Sequence, residues 1–336
     1  MKSSAKFLLL FIITLSLGSC QPTTNDSRKG ILYTSGGKTS EILVVISDGL
    51  WQSSVGDSIK AAFQDVKPWL AQPEPSYDLM RINYAAFQDM FPKYRNIIIV
   101  KISSDIYENK FKALKNAHSN PQTLIEFQCK TKQDFFEMLS NKAEGIGAIF
   151  HRNELYRIKT AYKGINVDSL TRKIYQKFGF KMVFPRGFYL YKDGSDFAWI
   201  HKVVRNEIEE GFLIYTKPYS DTMDFDYKNI INYRNQITKK YVPGPLSGSY
   251  MKVSSVFPPY YESTEFHGRY ATLLRSWWDV EGYPMGGPFL SYTFVDTVAN
   301  RLITIDGYIK AFKKEKRDLL LHLESIMDSF EMDEEE

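Results

Sequence analysis

Apolar and polar positions alternate along this chain in two rhythms that change near residue 165. Before it, short continuous apolar runs are separated by helix-spaced segments. Glu41 to Ser47 (EILVVIS) and Arg95 to Ile102 (RNIIIVKI) read as buried strands, and Tyr77 to Asn83 and Thr123 to Lys130 as further strands. Asp57 to Lys67 places Ile59, Ala62, Phe63 and Val66 on one helical face, and Pro68 ends it. Gln133 to Tyr156 carries Phe136, Leu139, Ala143, Ile146 and Phe150 at helical spacing, with Gly145 and Gly147 weakening its middle. Asp168 is placed to cap a helix through Phe178, with Gly179 as its stop.

After Gly179 the segments near 181–184, 187–192, 196–204 and 210–217 are short, aromatic and alternating, which predicts an antiparallel sheet. Phe225 to Tyr241 reads as a helix, broken by Pro243-Gly244-Pro245. Strands are expected again near 248–256, 264–278, 287–296 and 300–311, and a closing helix over Lys313 to Phe330. The expected fold class is therefore α+β. An N-terminal α/β sandwich-like part (39–165) precedes an antiparallel sheet domain with an inserted and a C-terminal helix (166–330).

The ends have a different character. Residues 1–19 have a basic start (Lys2, Lys6), an apolar run from Phe7 to Leu17 and small residues, the parts of an export signal. The run is about half of the ~20 residues that a membrane-spanning helix needs. Leu17-Gly18-Ser19-Cys20 resembles the lipobox of bacterial lipoproteins. That resemblance implies cleavage before Cys20 and a diacylglyceryl thioether on its thiol. The mature chain would then be anchored in a membrane by acyl chains, each buried methylene contributing about 0.8 kcal/mol. Gln21 carries no evident inner-membrane retention signal, so the outer membrane is the expected location, with either face open. Residues 20–38 read as the lipidated Cys and a flexible tether, and 331–336 as a solvated acidic tail.

Composition narrows the function classes. The chain of 336 residues is 43% apolar and 24% charged, which excludes global disorder. Its net charge of +4 includes two leader lysines, and the balance is too even to predict a nucleic-acid partner. Cys129 would be the one thiol left after lipidation, so no internal disulfide is available, and its alternating surroundings place it in a core. The five histidines form no H-x-H or H-x-x-x-H pair, and no metal or cofactor is indicated. Gly36-Gly37-Lys38-Thr39-Ser40 has Leu32 where a phosphate loop needs Gly, and it precedes its strand instead of following it. Ser249-Tyr250-Met251-Lys252 fits S-x-x-K by spacing but lies on an expected strand. Asp221, Asp224 and Asp226 precede a helix and read as caps, since a calcium loop would need a Gly and a Glu that are not there.

The densest stretch is Arg269 to Glu324. Leu274-Arg275-Ser276-Trp277-Trp278, Met285-Gly286-Gly287-Pro288-Phe289 and Lys316-Arg317 before a helix resemble an uncharacterised lipoprotein family of Bacteroidota, a domain of unknown function. The resemblance extends to Ile42–Ser47 with Gly49-Leu50-Trp51, and supplies no catalytic residue. The strand Leu302 to Ala311 followed by a Lys-rich helix also resembles sheet-and-helix domains of the PsbP and Mog1 type, which implies partner binding by architecture alone. Arg269, Arg275, Trp277, Tyr283 and Phe289 are the candidate binding residues, being of types enriched at binding hot spots. On a strand, 275 and 277 share one face and Trp278 takes the other. Core packing, with Arg275 paired to a carboxylate, is the competing reading. The expected function is a non-catalytic envelope module that binds a partner protein or glycan. The alternative is an envelope hydrolase acting on glycan or peptide, with Glu262, Glu265, His267 and Arg275 as the first residues to test.

Overall fold

The structure, a computed structural model, describes residues 32–88, 90–205 and 207–332. Cys20, the signal segment and Asp333–Glu336 lie outside the described residues. From Tyr33 onward the chain forms one unit.

The first third builds a five-stranded sheet from β1 (Glu41–Val45), β2 (Asp78–Ile82), β3 (Asn96–Ile102), β4 (Lys110–Lys115) and β5 (Thr123–Cys129), in the order β2-β1-β3-β5-β4. All neighbours are parallel except the β4–β5 pair. The apolar runs are continuous because both faces are covered, as parallel strands require. Ile42, Val44, Ile98 and Phe127 pack under two helices, α1 (Ser54–Phe63) and α2 (Lys132–Lys163). Leu43, Val45, Ile97 and Ile99 on the other face are covered by Phe87, Phe91 and Tyr94 from the β2–β3 connection. The helix expected over 133–156 is one continuous element that a Thr131–Asp134 capping box starts. Side chains added at Gly145 or Gly147 would meet nothing within 4 Å, so neither glycine marks a close approach. β4 was not expected from the sequence; its exposed Lys110, Lys112 and Lys115 suit a charged sheet edge.

The rest forms an eight-stranded antiparallel sheet. Its strands are β6 (Tyr189–Asp193), β7 (Phe197–Val204), β8 (Ile208–Pro218), β9 (Met251–Val253), β10 (Tyr260–Phe266), β11 (Arg269–Val280), β12 (Tyr283–Asp296) and β13 (Arg301–Ala311). They run in the order β9-β11-β12-β13-β8-β7-β6, with β10 also on β11. Three helices accompany it: α3 (Asp168–Phe178), α4 (Tyr227–Tyr241) and α5 (Arg317–Met327). The α4 face buries Leu213, Leu274, Trp278 and Phe289. The opposite face buries Phe212, Leu290, Phe294 and Ile305 against α3 and α5, and Leu70 from the first third joins that core.

Several local expectations need correction. The strand expected over 264–278 is a hairpin, because His267 and Gly268 both take positive φ (49° and 79°) and turn the chain between β10 and β11. Asp168 sits inside the first turn of α3 and does not cap it; Val167 precedes the helix without a side-chain cap, and Asn166 Oδ1 accepts from Thr171 and from the Phe184 amide. Gly179 does stop α3 with φ 78°. Asp226 caps α4 and Asp221 caps the turn before it, whereas Asp224 is buried and bonded to Ser220 and Lys217. Tyr33–Thr34, inside the expected tether, pair in parallel with Ser119–Asn120. Glu331–Met332, inside the expected tail, pair with Phe180–Lys181.

One ion pair lies wholly inside the α4 face. Arg234 Nε donates to Asp306 Oδ2 at 2.6 Å and Nη2 to Oδ1 at 3.3 Å, and the guanidinium lies 4.0 Å from the Phe289 ring centroid. Removing one partner leaves a buried charge alone, which costs about 3–5 kcal/mol. Asp306→Ala is therefore expected to lower unfolding free energy by about that much in urea titration. Arg234→Met combined with Asp306→Leu should recover most of the loss.

Candidate functional site

A cavity of about 580 Å³ opens where the first third meets the antiparallel sheet. Four pieces of chain make its walls. The segment after α1 supplies Asp65, Lys67, Trp69 and Leu70, and α2 supplies Glu144, Gly147 and His151. From the sheet side come Glu262 of β10 and Arg275 of β11, while α5 contributes Leu320, Leu321 and Glu324.

Each side chain arrives for a local reason. The helix expected to run to Lys67 stops at Phe63 with Gln64 as its cap, before Pro68, and the segment beyond it folds back through a Val66–Pro75 bridge while Trp69 reaches the sheet. The Trp69 and Tyr260 rings stand 5.1 Å apart at 43°, a tilted aromatic corner. The Arg275 guanidinium lies 5.2 Å from the Trp69 ring and the Lys67 ammonium 5.4 Å from it. Tyr260 donates its hydroxyl proton to Glu262 Oε2 at 2.8 Å, which fixes that carboxylate at the rim. Gly147 O, on α2, accepts from the Tyr77 hydroxyl at 3.0 Å.

The floor is charged and closed. Arg275 Nη2 donates to Glu324 Oε1 at 2.9 Å, and His151 Nε2 lies 3.3 Å from the same oxygen. Burial would raise the Glu324 carboxyl, but the charges of Arg275 and then His151 outweigh it and hold it well below the usual carboxylate range. For Arg275, burial works against the charge, yet Glu324 raises its pKa overall. Lys67 differs. Among the described residues no carboxylate lies within ion-pair distance of it, and burial, opposed by Asp65 and aided by Arg275, pulls its pKa below the ordinary lysine value. Deeper still, Glu154 is saturated by Arg95, Arg157 and Asn96.

The chain end that forms part of this wall is held from the other side. α5 starts without a side-chain cap of its own. Glu74 supplies one from 242 residues away: its carboxylate accepts from the Lys316 amide at 2.9 Å and the Arg317 amide at 2.6 Å. A carboxylate at a helix N-terminus satisfies free amides and opposes the helix dipole.

The residues singled out from sequence do not share one place. Arg275 lines the cavity. Trp277 packs its ring 5.3 Å from Phe257, and Tyr283 is exposed at the β11–β12 turn. Phe289 is fully buried on the α4 face beneath Arg234. Arg269 lies in a separate open groove of about 820 Å³ with Tyr219, Phe225, Tyr270 and Val298. Of the four hydrolase candidates, Glu262 and Arg275 meet in the cavity, whereas Glu265 and His267 line a neighbouring pocket that shares only Glu324 with it. Cys129 is buried on β5, and burial pushes its thiol up to about 11. Cys20 lies outside the described residues. Among the described residues no cluster of His, Cys, Asp or Glu fits a metal ion.

Sequence reasoning missed Lys67, Trp69, His151 and Glu324. Glu324 alone had a local signal: it falls on the apolar face of its helix, four residues after Leu320 and three before Met327.

Comparison with known families bears out the resemblance to domains of unknown function. Residues 167–329 match the family described as Domain of unknown function (DUF4837), and residues 35–163 match Domain of unknown function (DUF8532). No curated protein matches by sequence. Among solved structures, the Saccharomyces cerevisiae Ran-binding protein Mog1p is similar at 11% identity and TM-score 0.31, over 46% of this chain and 90% of its own. LpqN of Mycobacterium tuberculosis, described as involved in cell envelope biogenesis, is similar at 13% identity and TM-score 0.28, over 45% of this chain and 81% of its own.

The Glu324 pair contributes to the acid limb of stability. A carboxyl whose folded pKa lies below its unfolded value near 4.3 stabilises the fold above that value. That contribution is lost as pH falls through the folded pKa. Thermal unfolding is thus expected to drop from about pH 4.5 downward, and Glu324→Gln should flatten that drop while lowering stability at neutral pH.

Proposed function

We propose that this chain is a non-catalytic binding module of the cell envelope, held on a membrane through lipidated Cys20, and that its cavity takes a sugar unit of a glycan. The observation that carries this reading is the corner formed by Trp69 and Tyr260, with the unpaired Lys67 ammonium on one side and the Glu262 carboxylate on the other. A sugar ring offers an apolar face to an indole and hydroxyls that both donate and accept. An ammonium donor and a carboxylate acceptor flanking two rings match that chemistry. The envelope location rests on the sequence of residues 1–20. Among the described residues no helix is long and apolar enough to cross a membrane.

The hydrolase reading has one observation in its favour, the meeting of Glu262, Arg275, Glu324 and His151 around one cavity. Its chemistry is weaker. A glycosidase pair needs one carboxyl that holds a proton at working pH. Glu324 is held ionised by Arg275 and His151. Nor does Ser40 or Ser76, the two hydroxyl groups of serines on the wall, stand next to a histidine: they bond Asp318 and Asp65.

The test is a glycan array followed by calorimetry on the intact chain. Binding to a defined saccharide is expected, with Trp69→Ala weakening it about tenfold, the loss of roughly 1.4 kcal/mol of ring contact. Glu262→Gln should weaken it less. Turnover of the bound glycan would overturn the non-catalytic reading, and binding untouched by either change would move the ligand out of this cavity.

A further inference from the structure

The opposite face of the large sheet carries a second polar cluster. Tyr189 on β6 and His201 on β7 are directly paired across the strands. The Tyr189 hydroxyl oxygen lies 2.6 Å from His201 Nε2, and His201 Nδ1 lies 3.3 Å from Glu209 Oε1 on β8. The same Glu209 oxygen accepts from the buried Tyr308 hydroxyl at 2.6 Å, and Tyr308 accepts from Trp199 Nε1 at 2.8 Å. Lys310 Nζ stands 3.8 Å from the other Glu209 oxygen. Gly211 is opposite both His201 and Tyr308 in register, and a side chain there would lie 2.3 Å from the Tyr308 ring. The missing side chain is what lets the ring lie across the strand and reach Glu209.

The proton positions follow from this geometry. Burial would raise the Glu209 carboxyl, but the hydrogen bonds from His201 and Tyr308 hold it below its usual value, so it is ionised and can only accept. His201 Nδ1 therefore carries the proton that points at Glu209. In the neutral ring Nε2 is then an acceptor, and the proton between it and Tyr189 belongs to the phenol. A nucleophile bonded to a base, with the base oriented by a carboxylate, is the arrangement that activates weak hydroxyl nucleophiles. Tyr189 is 49% exposed on an edge strand, within reach of solvent.

We propose that Tyr189 is an activated phenol and a site of acyl transfer onto this chain, with an activated acyl compound as the donor class. The Tyr189 oxygen forms the new bond to the acyl carbon, and the bond from that carbon to its leaving group breaks. The phenolic proton passes to His201 Nε2 and from there to the departing group. The product is a tyrosyl ester. No oxidant or reductant is needed.

The probe is N-acetylimidazole on the intact chain at neutral pH, with acetylation of each tyrosine read by peptide mass spectrometry at short times. Tyr156 and Tyr107, at 54% and 93% exposure and away from His201, serve as internal references. Tyr189 is expected to react about a hundredfold faster than either, the lower end of what a positioned general base contributes. His201→Ala and Glu209→Gln should bring it down to the rate of the references. A wild-type rate at or below those of Tyr156 and Tyr107 overturns the proposal without any variant. So does a fast rate that persists in His201→Ala or Glu209→Gln chains with an unchanged thermal melt.

Discussion

A carboxylate buried on the last helix has to be neutralised where it stands, and much of the architecture around the cavity meets that demand. Glu324 faces inward from α5, with Arg275 reaching it from the sheet and His151 from the long helix of the first third. A buried carboxylate without such partners would take up a proton or unfold the helix. With them, three elements far apart in sequence are drawn to one point. The cavity lies where these three elements meet, with Arg275, His151 and Glu324 in its lining.

The two faces of the large sheet handle polarity differently. On the α4 face, Arg234 and Asp306 are sealed among apolar side chains, with Arg234 contacting Asp306, Phe289 and Met251. On the α5 face the equivalent pairing borders open space, so its surroundings stay available for contact. A sealed pair fixes packing, whereas an edged pair leaves donors and acceptors at a rim. Arg275 therefore borders a cavity and Arg234 does not, although Arg234 is the more deeply buried arginine.

Local patterning made the elements legible and left the sites obscure. Ile42 to Val45, Asn96 to Ile102 and the alternating strands after Gly179 could be read because burial repeats with the period of the element that contains it. Gly179 could be read because a helix stop is a local backbone event. The hairpin at His267-Gly268 escaped because histidine is not a usual turn residue, and its flanking strands continue one alternation. Lys67, Trp69 and His151 escaped for another reason: nothing near them in sequence is unusual, and their roles come from neighbours up to about two hundred residues away. Arg275 stood out as a charged side chain within an aromatic strand. Its pairing to a carboxylate was foreseen, and the carboxylate's identity was not. Phe289, prominent in the same stretch, lies on the sheet face turned away from the cavity.

The segment from Asp65 to Glu74 does two things at once. Its Lys67 and Trp69 wall the cavity, and its Glu74 caps the final helix. A ligand that ordered this segment would also steady the cap. By mass action such a ligand is a ligand of the fold itself, adding RT ln(1 + [L]/Kd) to its stability. Occupancy would then be felt at the amides of Lys316 and Arg317, as slower exchange with solvent, without any change of shape.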